Sequence, residues 1–256
     1  MARHARIISN SGIYHIMVRG INKEQIFKKD FYKTKTLEIL KDIKKETDFS
    51  IISYCVMDNH LHLLIKITED NLAVVMKKLN VKYAMFYNRL EKRYGYVFQD
   101  RFKSEAVEDD KYLLGALRYI HNNPVKARIT DNIVNYHWCS MKEYMSGNLS
   151  LISEKYLQEI LGLFKDKYEF LKFHNLYDDN LYLDTKEEQE VNIQLIVQNS
   201  IEKYAIRNGF SDQSQFSLDR KEELAKELMS LNLITYKEVA RLCNLPYLSV
   251  LNMVND

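Results

Sequence analysis

The chain has 256 residues, of which 46% are hydrophobic and 28% charged, the composition of a globular protein. It contains no apolar run of about 18 residues or more, which argues against a membrane-spanning protein. Its three cysteines, Cys55, Cys139 and Cys243, lie too far apart for a disulfide framework or a zinc cluster. The basic N-terminus lacks the apolar segment of a signal peptide, so we expect a reducing, cytoplasmic location. Lys and Arg are in excess over residues 1–146 and the remainder is acidic, which favours a polyanionic partner such as nucleic acid.

The first half of the chain predicts strands alternating with helices. β-Branched and aromatic residues predict strands over residues 13–19, 49–56, 61–67 and 96–107. Apolar residues near a period of 3.6 predict helices over residues 31–45, from 71 toward Gly95, and over 112–123, where Pro124 should end the helix. The order β-α-β-β-α-β-α predicts an α+β, ferredoxin-like fold. This is a four-stranded antiparallel sheet with helices on one face and one added helix.

Residues 147–256 predict a separate, all-helical domain. Gly147-Asn148 is the expected boundary with the first domain, residues 1–146. Helices are predicted over residues 151–173 and 187–208, and residues 220–254 have the spacing of a helix-turn-helix. The second helix of that motif lacks Arg and Lys, so packing against protein and reading of DNA both remain open.

Two histidines stand two residues apart in an apolar run. His60 and His62 would project from one face of a strand, with Leu61 turned into the core behind them. Two neighbouring imidazoles form half of a divalent-metal site, although a pair of half-buried histidines fits the bare pattern equally well. His15, on the first strand, would pack nearby or line the same site.

Tyr119 and Asn123 are four residues apart and would share one face of the last helix of the first domain. If that helix lies beside the sheet, Asn123 becomes a third ligand and Tyr119 a nucleophile. Three other tyrosines compete for this role, and Tyr112 has no Asn four residues later. We expect His121 to lie at the surface or to support the site indirectly. The rival tyrosines are Tyr83, Tyr87 and Tyr112.

Four segments together carry a known pattern. They contain Tyr14-His15 with Arg19-Gly20, Asn59-His60-Leu61-His62, Phe98-Gln99 with Arg101-Phe102-Lys103-Ser104, and Tyr119-Ile120 with Asn123-Pro124-Val125. Residues 12 to about 146 therefore resemble the HUH-type single-tyrosine transposases, in particular the REP-associated tyrosine transposases. The resemblance implies that His60 and His62 bind the metal, Mg²⁺ or Mn²⁺, with Asn123 as third ligand and Tyr119 as nucleophile.

The implied activity is cleavage and rejoining of single-stranded DNA through a 5′-phosphotyrosine, with recognition of a DNA hairpin. Members of the family act as monomers or homodimers, and the sequence does not choose between them. A non-catalytic DNA-binding regulator and a metal-dependent phosphohydrolase that uses water are the alternatives. The candidate DNA contacts are Arg19, Lys82, Arg89, Arg101 and Lys103.

Overall fold

The computed structural model describes residues 7–68, 72–176, 178, 180–211 and 215–253. The chain forms two compact units, Met1–Leu183 and Asp184–Asp256. Among the described residues, no helix is both long enough and apolar enough to cross a membrane.

The first unit is built on a four-stranded sheet. Its strands are β1 (Ile13–Arg19), β2 (Phe49–Val56), β3 (His60–Ile67) and β4 (Lys103–Val107). The strand order is β2-β3-β1-β4 and every neighbouring pair is antiparallel, which confirms the predicted sheet. β4 is shorter than predicted, because the preceding residues meet β1 only through a bridge between Phe98 and Gly20 rather than a continuous ladder.

Three helices complete the predicted pattern: α1 (Asp30–Glu46), α2 (Leu72–Leu90) and α3 (Asp110–Lys126). The Asp109 side chain caps α3 by accepting from the backbone N–H of Tyr112 at 2.7 Å. The prediction that Pro124 ends this helix is wrong. Proline removes one donor, but the final turn closes through the Ala127 N–H, which donates to the Asn123 carbonyl at 2.9 Å.

The stretch after α3 returns to the first unit. Its helices are α4 (Met141–Ser146), α5 (Glu154–Leu161) and α6 (Lys167–His174). Ile152 and Phe170 are buried in the same core as the sheet, and the Ser153 N–H donates to the Ile51 carbonyl at 2.9 Å. The expected boundary at Gly147 therefore lies inside the first unit. The single helix expected over residues 151–173 is instead two helices, because the chain turns after Gly162.

The second unit is helical, as predicted. It comprises α7 (Lys186–Arg207), α8 (Leu218–Ser230), α9 (Tyr236–Cys243) and α10 (Tyr247–Asn252), with a core of its own. Thr235 and Glu238 form a capping box at the start of α9, and Asn244 adopts a left-handed conformation (φ 50°) before α10. These helices fall in the stretch for which the sequence predicts a helix-turn-helix, which stays a prediction. Residue 254, the end of the predicted motif, lies outside the described residues.

Candidate active site

The strand register places the two histidines of β3 on one face of the sheet. His60 lies opposite Arg19 and His62 opposite Met17 on β1. Both side chains are buried, and their ring centroids are 4.9 Å apart. Leu61, between them, is buried in the hydrophobic core. The two imidazoles are therefore neighbours on a rigid strand, as the alternation of side chains predicts.

Each of these rings has its Nδ1 atom beside a defined partner. His60 Nδ1 lies 2.6 Å from Asn59 Oδ1, and His62 Nδ1 lies 3.1 Å from Nε2 of His15. Burial lowers the pKa of His62, and positive charge on His60, His15 and Lys126 would lower it further. Burial also lowers the pKa of His15 to about 3. His15 and His62 are therefore neutral at physiological pH, the form in which histidine binds metals.

Tyr119 lies on α3, over the histidine face. Its ring centroid is 5.8 Å from that of His62 and 6.2 Å from that of His15. The side chain is 4% exposed, and within the described part of the chain its buried hydroxyl has no hydrogen-bond partner. The Nζ atom of Lys126 lies 4.4 Å from the centre of the Tyr119 ring. The Tyr119 ring therefore lies beside two imidazoles and a lysine ammonium, and its hydroxyl forms no hydrogen bond within the described residues.

Asn123, one turn after Tyr119, is also buried. Its Nδ2 atom has no hydrogen-bond partner among residues 7–68, 72–176 and the other described segments. Leaving a buried polar atom unpaired costs about 1–3 kcal/mol, so natural proteins rarely do it without a reason. Two such groups one helical turn apart indicate a site suited to a ligand. Two imidazoles and an amide oxygen are ligands that fit a divalent ion of hard to borderline character.

The rival tyrosines have their hydroxyls engaged elsewhere. Tyr83 donates to the Ile26 carbonyl at 2.6 Å, and Tyr87 donates to Glu24 at 3.1 Å. Tyr112 donates to the Glu105 carboxylate.

The expectation that His121 lies at the surface is wrong. It is fully buried, with Nδ1 2.9 Å from His174 Nε2 and Nε2 2.8 Å from Ser140 Oγ. These contacts give His121 a structural role in a buried row of polar side chains that also includes Ser140 and His174.

The candidate DNA contacts fall into two groups. Arg19 lies opposite His60, and Lys103 lies opposite Met17, the partner of His62, so both belong to the histidine face. Lys82 instead forms an ion pair with Glu46 at 2.8 Å. Arg89 and Arg101 are exposed, and no contact among the described residues places either of them beside the histidines.

The sequence motifs include Asn59, which directly precedes His60, but not Lys126. Lys126 lies seven residues after Tyr119, which is two helical turns. The spacing of Lys126 could have identified it, had the helix been predicted to continue past Pro124.

The stretch that carries His60, His62 and Tyr119 is similar to known proteins. Residues 9–123 match the family model described as "Transposase IS200 like". A curated relative, the putative REP-associated tyrosine transposase of Haemophilus influenzae, is 24% identical over 151 residues, which cover 55% of this chain and 85% of the relative.

Two solved structures are also similar. One is a REP-associated tyrosine transposase bound to a REP hairpin (16% identity, 60% of this chain, 91% of the other, TM-score 0.48). The second is a putative transposase from Deinococcus radiodurans R1 (18% identity, 47% of this chain, 97% of the other, TM-score 0.34). Residues 9–123 thus match the IS200-like transposase model, and the resemblance to the REP-associated tyrosine transposases that the sequence motifs predict is confirmed.

Proposed function

We propose that this protein is a metal-dependent transposase that cleaves and rejoins single-stranded DNA through a 5′-phosphotyrosine on Tyr119. One observation carries the assignment. Tyr119 contacts both His15 and His62, and its buried hydroxyl is held by no hydrogen bond within the described residues. The other candidate tyrosines have their hydroxyls committed to carbonyl or carboxylate groups.

His60 and His62 would hold the ion, Mg²⁺ or Mn²⁺, with Asn123 as the third ligand. When bound, such an ion polarises a phosphate oxygen and offsets the charge of the transition state. The neutral state of His62, enforced by burial, suits this role because only an unprotonated ring nitrogen can coordinate a cation.

The covalent step belongs to Tyr119. Its hydroxyl oxygen attacks the phosphorus atom and forms the new O–P bond, while the bond from phosphorus to the 3′ oxygen breaks. The tyrosine loses a proton, the departing 3′ oxygen gains one, and the number of phosphodiester bonds is conserved. The 3′-OH of a second strand reverses the step and gives strand transfer. The nearby Lys126 ammonium stabilises the negative charge that develops on the tyrosine oxygen.

We propose a hairpin-bearing single strand as the substrate, on the resemblance to REP-associated tyrosine transposases. Arg19 and Lys103, on the histidine face of the sheet, support a phosphate backbone crossing that face. Lys82 is the weaker candidate because it lies on α2 and not on the strands of that face.

The test is a covalent trapping assay with the full chain. A hairpin-bearing oligonucleotide labelled at its 3′ end is incubated with Mg²⁺ or Mn²⁺, and the products are separated in denaturing gels. We expect a labelled protein adduct that disappears in Tyr119→Phe and on chelation of the metal. The matched control, Tyr112→Phe, removes a hydroxyl from the same helix and should retain the adduct.

Three outcomes would contradict the proposal. An undiminished adduct in Tyr119→Phe would place the nucleophile elsewhere. Cleavage without an adduct would support a phosphohydrolase that uses water. Binding of the oligonucleotide without cleavage would support a non-catalytic DNA-binding regulator.

A further inference from the structure

We propose that His15 is a positioning residue for His62, and that its Nε2 atom accepts a hydrogen bond from Nδ1 of His62. This contact would fix the tautomer and the orientation of His62, so that the lone pair of its Nε2 atom is available to a divalent cation. The inference rests on the proposed function in taking His62 as a metal ligand, and it is tested separately from strand cleavage.

The direction of the contact follows from the two nitrogens of a neutral imidazole, of which one carries the proton and the other the lone pair. The 3.1 Å separation between His15 Nε2 and His62 Nδ1 allows a proton between them in either sense. If His15 donated, the lone pair of His62 would be used in this bond and its Nε2 would carry a proton. Only donation by His62 is compatible with coordination through Nε2.

The site of His60 provides an independent parallel. Its Nδ1 atom lies 2.6 Å from Oδ1 of Asn59, and an amide oxygen can only accept. His60 therefore also carries its proton on Nδ1 and presents the lone pair of Nε2. Two neighbouring rings thus have an acceptor at the same ring atom, one supplied by an amide and the other by an imidazole.

The position of His15 in the sheet allows it to restrict the motion of the His62 ring. It is fully buried, and it belongs to β1 at the position opposite Leu64, two residues along β3 from His62. The ring centroids of His15 and His62 are 5.3 Å apart. Because both rings stand on adjacent strands of one sheet, their contact is set by the strand register. Partners of this kind typically change metal affinity about 10- to 100-fold.

The principal test is a titration of the metal-free full chain with Mn²⁺, followed by electron paramagnetic resonance without DNA. His15→Leu removes the acceptor and should weaken Mn²⁺ binding by about 10- to 100-fold. His15→Gln offers an amide oxygen instead, and should recover most of that affinity. Equal affinity of the wild type and His15→Leu, or no advantage of Gln over Leu, would overturn the proposal.

The matched control is His174→Leu. His174 is buried and contacts another histidine, His121, at 2.9 Å, but neither belongs to the proposed ligands. We expect this variant to lose stability and to keep its affinity for Mn²⁺. A loss equal to that of His15→Leu would mean that any damaged histidine pair weakens the site, and would also overturn the proposal.

A second measurement needs no substitution and so does not depend on the folding of a variant. In the wild-type chain labelled with ¹⁵N-histidine and loaded with Mg²⁺, long-range proton–nitrogen correlations report the tautomer of each ring. We expect the proton on Nδ1 of both His60 and His62. A proton on Nε2 of His62 would refute the positioning role. If the expected tautomers and the Gln recovery are found without a covalent adduct, the positioning role stands and the proposed cleavage falls.

Discussion

The Lys126 ammonium lies 4.4 Å from the centre of the Tyr119 ring, on the last turn of the helix that carries both residues. This contact predicts that Lys126→Met slows adduct formation on the order of tenfold, because a nearby cation lowers the cost of charge on the tyrosine oxygen. The measurement is the single-turnover rate of adduct formation. Lys126→Arg keeps the charge and should restore most of the rate, and equal rates in Met and Arg variants would refute an electrostatic role.

Removal of the Tyr119 hydroxyl should stabilise the first unit while abolishing the adduct. Tyr119→Phe deletes a buried hydroxyl that has no hydrogen-bond partner among the described residues, so we expect the free energy of unfolding to rise by up to about 1 kcal/mol. Tyr83→Phe is the matched control. It deletes a hydroxyl that donates to the Ile26 carbonyl, and should destabilise by about 1 kcal/mol.

Both changes can be measured by denaturant unfolding followed through the fluorescence of Trp138. It is the one tryptophan of the chain and lies in the first unit. A destabilised Tyr119→Phe would mean that the hydroxyl is satisfied in solution, and would weaken the assignment of this atom as the nucleophile.

The buried pair His121 and His174 should make the first unit sensitive to acid. Burial lowers the pKa of His174 to about 4, although the Phe170 carbonyl opposes this shift and Arg118 adds to it. Burial lowers the pKa of His121 as well. The ordinary pKa of a histidine is 6.5, so between pH 6.5 and about 4 the unfolded chain binds protons that the folded chain does not.

Stability should therefore fall as the pH falls through this window, with a contribution from His174 of about 1 kcal/mol per pH unit. The check is the unfolding free energy of the wild type and of His174→Gln at several pH values between 4 and 7. The variant should be less stable at pH 7, and its stability should depend less steeply on pH. Parallel curves for the two proteins would show that His174 does not titrate as expected.

DNA binding should depend on Lys103 more than on Lys82. Lys103 lies in the strand row that contains Met17 and His62, whereas Lys82 lies on α2, outside the strands of this face. We expect Lys103→Ala to weaken binding of the oligonucleotide and to lower the slope of log affinity against log salt by about 0.7–1. Lys82→Ala should change the slope by much less. Fluorescence anisotropy at several salt concentrations measures both, and an equal loss in the two variants would contradict this distinction.

The sequence predicts the parts of this molecule that depend on local periodicity. The alternation in residues 49–67 predicts both strands of the hairpin and the common face of His60 and His62, because a strand repeats every two residues. The spacing of Tyr119 and Asn123 likewise predicts that they share a helix face. Each of these predictions depends only on the repeat of a single strand or helix.

What the sequence does not predict depends on contacts between distant segments. Ser140 and His174, remote in the chain, make His121 a buried residue, although its position on the helix favours exposure. The composition changes near Gly147, but composition does not report that Phe170 packs into the first core. The continuation of α3 past Pro124 is a third case, since the turn after the proline still closes through the Ala127 N–H, which donates to the Asn123 carbonyl.

Because residues 147–183 belong to the first unit, the stretch that matches the family model is only part of one compact unit. The stretch that matches the family model ends at residue 123, yet the core that holds the sheet together includes Ile152, Ile160 and Phe170. Grafting only the matching stretch onto another protein would uncover apolar surface and invite aggregation. A transplantable module would have to extend to Leu183.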